Sequence, residues 1–239
     1  MNVTVKDMLL FMLLSFLINY FRNNMYHRLP NTPINLVTDA IRAGEVEKLK
    51  SLLKTEKLNL NKRDRKGFAP LHAAVIADNL EVLDLLLDQP NVDINVADKN
   101  KRTCMSLALL YNARINVIKR LVENGSDVNN CTRKYLTPLH SAVKYCRADI
   151  AELLIKSGAN INAVRCGGFT PLYDAVLRNN LEMVRLLLFY GADPNTKYYN
   201  KSPFMAAISR SYHDIASELI EYVCDFKDTC YSARDGGLL

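Results

Sequence analysis

GFTPLYDAVLRNNLEMVRLLLFYGADPN, residues 168–195, holds a turn, two apolar runs and a closing Gly191-x-Asp193-x-Asn195. Two earlier stretches say the same thing: GFAPLHAAVIADNLEVLDLLLDQPNVDIN at 67–95 and YLTPLHSAVKYCRADIAELLIKSGANIN at 135–162. Self-similarity at a period of about 20–50 residues is the mark of a stacked repeat, in which no copy can bury both of its faces alone. The Thr-Pro step sets the register. It stands at Thr137-Pro138 and Thr170-Pro171, with worn copies at Ala69-Pro70, Thr103-Cys104 and Ser202-Pro203, so the steps from 69 are 34, 34, 33 and 32 residues. Counting back 34 from Ala69 reaches Asn35, where the turn signature is lost, but AIRAGEVEKLKSLL (40–53) keeps a helical pattern. Six units follow, at about 34–64, 65–98, 99–131, 132–164, 165–197 and 198–224. They are preceded by an N-terminal segment, 1–33, and followed by a short tail, 225–239.

Each unit reads as two helices and a turn. Thr or Ser ahead of Pro starts a helix, because the hydroxyl accepts from free backbone N–H groups and Pro at the first helical position loses no hydrogen bond. Leu71, Leu139 and Leu172 then point inward, and Ala74, Ala108, Ala142, Ala175 and Ala207 let the next unit approach closely. The second helix carries an apolar block, such as Val82 with Leu85–Leu87 or Val184 with Leu186–Leu188. It stops at Gly125, Gly158 or Gly191, where glycine takes the left-handed cap, and the Asp-x-Asn or Asn-x-Asn that follows turns the chain outward.

These residues resemble the ankyrin repeat: GFAPLHAA (67–74), LTPLHSA (136–142), FTPLYDA (169–175), LLIKSGANIN (153–162) and LLLFYGADPN (186–195). The resemblance covers about 190 of the 239 residues. It implies an all-α fold, a right-handed solenoid of helix-turn-helix units with hairpin loops projecting to one side. It also implies that His72 and His140 bond the turn to its neighbour. Units three (TCMSLA) and six (SPFMAA) depart from the TPLHxA pattern, and unit one has the worn turn of a terminal cap.

Little in the chain suggests catalysis. The position of His72 and His140 is filled elsewhere by Ser106, Tyr173 and Met205, which a catalytic group would not survive. The acidic and amide turn residues come from four units and do not converge on one loop, as an oxygen-ligand metal site requires. There is no phosphate loop, nucleophile elbow or metal-ligand spacing. We expect no enzyme, no cofactor and no metal. The six cysteines are irregularly spaced and read as free thiols in a reducing compartment, so a cytoplasmic location is expected.

The N-terminal run MLLFMLLSFLI (8–18) has 11 residues, short of the ~20 that span a bilayer as a helix. It reads as a helix packed on the rest of the protein or on a partner, with a membrane anchor and a signal peptide as alternatives.

The variable hairpin tips are more telling: KRDRKGF (62–68), DKNKR (98–102), NCTRKY (130–135), RCGGF (165–169) and KYYNK (197–201). They hold twelve basic residues against two acidic ones, Asp64 and Asp98, a net of +10 beside +6 for the whole chain. Exposure explains charge but not a single sign, so the tips read as a binding edge for an acidic protein surface. The expected contacts are Arg65, Lys66, Phe68, Lys99, Lys101, Arg102, Arg133, Lys134, Tyr135, Tyr198 and Tyr199, continued into a concave groove by Tyr145 and Arg178 at the ends of the first helices. Nucleic acid is disfavoured, since no reading module is present. A monomer is expected.

Asparagine-rich hairpins, irregular repeats and the lack of a companion domain look most like the ankyrin-repeat proteins of poxviruses, the avian type in particular. That resemblance implies a host protein as partner and the host cytoplasm as location. Many such proteins end in an F-box-like segment, for which the residues after the last repeat are too few. The expected function is a protein–protein interaction module. The alternatives are a substrate adaptor for a host ubiquitin ligase, acting through some other element, and a membrane-tethered scaffold using residues 8–21.

Overall fold

A computed structural model describes residues 32–55, 58–132, 136–197 and 201–224. The apolar run at 8–18 and the tail lie outside them. The described residues form twelve helices in six pairs: α1 (Pro33–Ala43) with α2 (Val46–Thr55), α3 (Pro70–Ile76) with α4 (Leu80–Leu87), α5 (Cys104–Leu110) with α6 (Ile115–Glu123), α7 (Pro138–Lys144) with α8 (Ala148–Lys156), α9 (Pro171–Leu177) with α10 (Leu181–Phe189), and α11 (Pro203–Ser209) with α12 (His213–Cys224). This is the ankyrin-repeat solenoid that the sequence resembles. The chain divides into two compact units, one ending at Pro70 and the other beginning at Leu71.

In the second unit the inner helices are short, and all but α3, which follows Ala69, start on a hydroxyl cap. The side-chain oxygens of Thr137, Thr170 and Ser202 accept from the backbone N–H of His140, Tyr173 and Met205 at 3.4, 3.2 and 3.2 Å. The inner helices pack in series, α5 on α7, α7 on α9 and α9 on α11, and the outer helices α4, α6, α8, α10 and α12 do likewise. Close approach is allowed because Ala74, Ala108, Ala142, Ala175 and Ala207 are fully buried, as are Leu139, Leu154 and Leu172.

The loop from inner to outer helix turns on one left-handed residue. Its φ is positive at Gly44 and again at Asp78, Asn112, Cys146, Asn179 and Ser211. That series fixes the true register, with steps of 34, 34, 34, 33 and 32 residues. It also revises the first unit. α1 does begin on a Thr-Pro step, Thr32-Pro33, three residues before the counted position. It runs for 11 residues where the later inner helices have 7, so the step from Thr32 to Ala69 exceeds the period.

The Asp-x-Asn turns do more than reverse the chain. The first residue closes the loop: Asp93, Asp127, Asn160 and Asp193 each accept through Oδ1 from the backbone N–H two residues on, at 2.8–3.0 Å. The second reaches the next copy. Asn95, Asn129 and Asn162 accept through Oδ1 from the backbone N–H of Asp127, Asn160 and Asp193 at 2.8, 2.7 and 2.9 Å. Asn129 also donates from Nδ2 to the carbonyl of Gly158 at 3.0 Å.

Candidate binding surface

The tips are built on buried aspartates. In unit 71–239, Asp98 is 3% exposed although it heads an exposed loop. Its Oδ1 accepts from the backbone N–H of Asn100 and Arg102 at 2.7 and 2.9 Å, and its Oδ2 receives the Arg102 guanidinium at 2.7–2.8 Å. Burial alone would raise its pKa, but the hydrogen bonds from Arg102 and Asn100 outweigh burial and hold it below the usual range. The loop is thereby fixed with Lys99 and Lys101 exposed at its apex, and Lys101 takes the left-handed position at φ 59°.

In the unit ending at Pro70, Asp64 does the same. It accepts from the N–H of Lys66 and Phe68 at 2.8 and 2.9 Å and pairs with Arg42. Arg65 folds back onto Asp39 at 2.8 Å, Lys66 is exposed and Phe68 is half-buried. In the 165–169 tip Arg165 replaces the aspartate. Its guanidinium makes two 2.6 Å bonds to Asp174 and lies over the Phe169 ring at 4.3 Å.

The expected contact residues therefore divide. Arg65 and Arg102 are half-buried and ion-paired within their own units, so their charge is largely committed. Lys66, Lys99 and Lys101 are exposed. Arg133, Lys134, Tyr135, Tyr198 and Tyr199 lie outside the described residues. Tyr145 stands beside the 98–102 tip. Arg102, Ser106, Leu110, Leu136, Lys144 and Tyr145 line one cavity of about 420 Å³ between that tip and the inner helices α5 and α7. Leu110 is 42% exposed there, and the Lys144 ammonium sits 5.0 Å above the Tyr145 ring. Arg178, exposed at the end of α9, is not part of that lining. The sequence reading omitted Leu110. Its signal was present, an apolar residue at the helix end where unit four has Lys144.

His72 and His140 are structural. His140 Nε2 donates to the Phe169 carbonyl at 3.1 Å and Nδ1 accepts from the Thr137 hydroxyl at 2.8 Å, which fixes the neutral tautomer. His72 Nε2 bonds the Val96 carbonyl at 2.9 Å. Cys104, buried, and Cys131, Cys146 and Cys166, exposed, are free thiols. Among the described residues no three His, Cys, Asp or Glu side chains could hold one metal ion, and no helix is long and apolar enough to cross a membrane.

A family model described as ankyrin repeats (3 copies) matches residues 11–98, 37–132, 85–165 and 105–198. The chain is 28% identical over 121 residues to a putative ankyrin repeat protein of Rickettsia bellii (strain RML369-C), covering 47% of this chain and 17% of that one. It is 30% identical over 135 residues to a putative ankyrin repeat protein of fowlpox virus (strain NVSL), covering 44% and 19%. It thus spans less than a fifth of the length of either relative. Among solved structures, the ankyrin repeat domain of Bcl-3, of the IkappaB protein family, superposes with a TM-score of 0.72 at 27% identity, over 78% of this chain and 85% of that one.

Proposed function

The chain belongs to the ankyrin-repeat family, whose repeats are protein–protein interaction modules, and from that premise we propose that it acts by occupancy, holding an acidic protein surface against its basic tips and inner groove. One observation carries the reading. At the 98–102 tip the only acidic side chain, Asp98, is drawn under the loop, where it spends its charge on the loop's own N–H groups and on Arg102. Lys99 and Lys101 remain outward on a fixed frame, next to a cavity with an apolar floor and the Lys144 ammonium on its wall. A rigid surface of this kind loses little freedom on binding. Its lysines speed encounter with a negative partner, while Tyr145 and Leu110 supply buried contact.

The partner is read as a host protein and the source as viral, on the likeness to the fowlpox relative. On that reading the module works as a monomer in the host cytoplasm. The adaptor and membrane-tethered alternatives would act through segments outside the described residues. The test is to purify partners from host cells with the full chain and with a variant carrying Lys99→Ser, Lys101→Ser and Lys144→Ser. Association rates are then measured at two ionic strengths for whichever protein is recovered. Binding should slow about tenfold or more at low salt, and the salt dependence should flatten as the steering charge goes. Equal rates for parent and variant would remove the tips and groove as the site.

A further inference from the structure

The outer helices carry a second surface, made from none of the residues above. The repeat assigns a polar side chain to the end of the outer helix: Asp88, Glu123 and Lys156 each stand two residues after the buried Leu86, Leu121 or Leu154. Unit five has Phe189 there, and it is 75% exposed. At the next position Gln89, Asn124 and Ser157 give way to Tyr190. The solenoid therefore does not need this aromatic pair for its packing, since the other copies stack without it. Phe189 meets Tyr190 edge-on with ring centroids 5.1 Å apart, and the Tyr190 hydroxyl donates to Glu152 at 2.9 Å. With Arg185, Leu186, Tyr222 and Glu218 these residues line a shallow cavity of about 380 Å³ formed by α8, α10 and α12.

The charge on these three helices opposes that of the chain. They hold six acidic residues, Asp149, Glu152, Glu182, Asp214, Glu218 and Glu221, against Lys156 and Arg185, a net of −4 in a protein of net +6. Both cations are already taken, Lys156 by Glu152 at 2.7 Å and Arg185 by Glu218 at 2.7 Å. An exposed aromatic with an acidic rim is the complement of an amphipathic helix whose polar face is basic. Such a helix lays apolar side chains into the depression and its lysines or arginines on the rim.

We propose that the Phe189 face of α8, α10 and α12 docks a basic amphipathic helix of a protein partner, independently of the tips. The probe is a synthetic peptide of about 18 residues, five helical turns, made of leucine and lysine with one tryptophan. A leucine–glutamate peptide of the same length is the control. The protein has no tryptophan, so the peptide's fluorescence and anisotropy report binding to the full chain without background. The leucine–lysine peptide should bind the parent, less tightly as salt rises. Binding should weaken about tenfold or more with Phe189→Gln, a polar side chain at a position that is polar in units two to four, at an unchanged melting temperature. Should that variant melt early, Phe189→Ser serves in its place, with backbone amide shifts at 186–190 in the parent locating the peptide. Lys99→Ser with Lys101→Ser should leave peptide binding as it was. Equal binding by parent and variant, equally tight binding of the leucine–glutamate peptide, or shifts confined to the inner helices would overturn the proposal. So would self-association of the parent that Phe189→Gln abolishes, which would make the occupant a second copy of this chain.

Discussion

Ser126 fills the place that Ala159 and Ala192 occupy in the next two units, and all three backbone N–H groups donate at 2.9 Å to the carbonyl five residues back. The hydroxyl is buried and has no hydrogen-bond partner. A buried polar group left unpaired costs about 1–3 kcal/mol, so Ser126→Ala should raise stability by about 1 kcal/mol, read as a higher urea midpoint at unchanged slope. A lower midpoint would mean that the hydroxyl is satisfied. His140 makes a prediction about pH. Burial, its largest influence, lowers its pKa below the ordinary value of 6.5, against the opposing pull of Asp174. The unfolded chain therefore takes up the proton first as pH falls. The stability His140 contributes is complete above about pH 6.5 and is lost as pH drops through its depressed folded value. Asp64 and Asp98, also held low, lose their contributions only below the carboxylate range near 3.8, so the two windows separate. His140→Tyr, which copies Tyr173 of unit five, should lose less stability than the parent between pH 7 and 5. Parallel urea midpoints across that range would refute the assignment. The bond of His140 to a neighbouring turn was implied by the ankyrin resemblance, while the other residue types at its position spoke only against catalysis. The fate of Ser126 was not, since burial without a partner is a property of the packed interior alone.

Helices and turns were legible to different degrees. Hydroxyl caps, small inner residues and apolar outer helices follow from local chemistry and recur, so periodicity exposed them. The beginning of α1 was misplaced because counting assumed a constant period, while that inner helix is one turn longer than the rest. The role of Asn95, Asn129 and Asn162 was only half visible. An Asx turn is a local event, but the bond to the next copy spans 31 or 32 residues and needs the stack to exist first. The same bonds give the asparagine-rich hairpins a structural reason that holds whatever the source of the chain. Asn129→Ala removes two bonds between the turns of units three and four. It should cost about 1 kcal/mol, the usual net value of such bonds at an exposed site, and it should speed hydrogen exchange at the Asn160 amide more than at Asp127. Unchanged exchange at Asn160 would show that the ladder carries no load.

Across the whole chain, the scaffold was more legible than the sites it carries. Repetition writes the scaffold several times over, so errors in one copy are corrected by the others. A binding surface is written once, in the positions that break the pattern, and whether a charged tip residue is free or consumed depends on where its side chain folds. Asp98 and Asp64 looked like charges that weaken the basic edge, and they are the posts on which it is mounted. The left-handed residues at the inner-helix ends bear on inheritance. Asn112 and Cys146 are interchangeable in conformation, at φ 55° each, and lie 34 residues apart. Cutting out residues 113–146 would join Asn112 to Arg147, bring Asn95 opposite Asn160 and leave a chain of 239 − 34 = 205 residues with its caps and turns in register. That chain should still melt cooperatively, at a lower midpoint, whereas removal of 113–142 should abolish the transition. A gene for such a protein can shrink or grow by unequal recombination without passing through a misfolded ancestor, provided that each event counts in full periods.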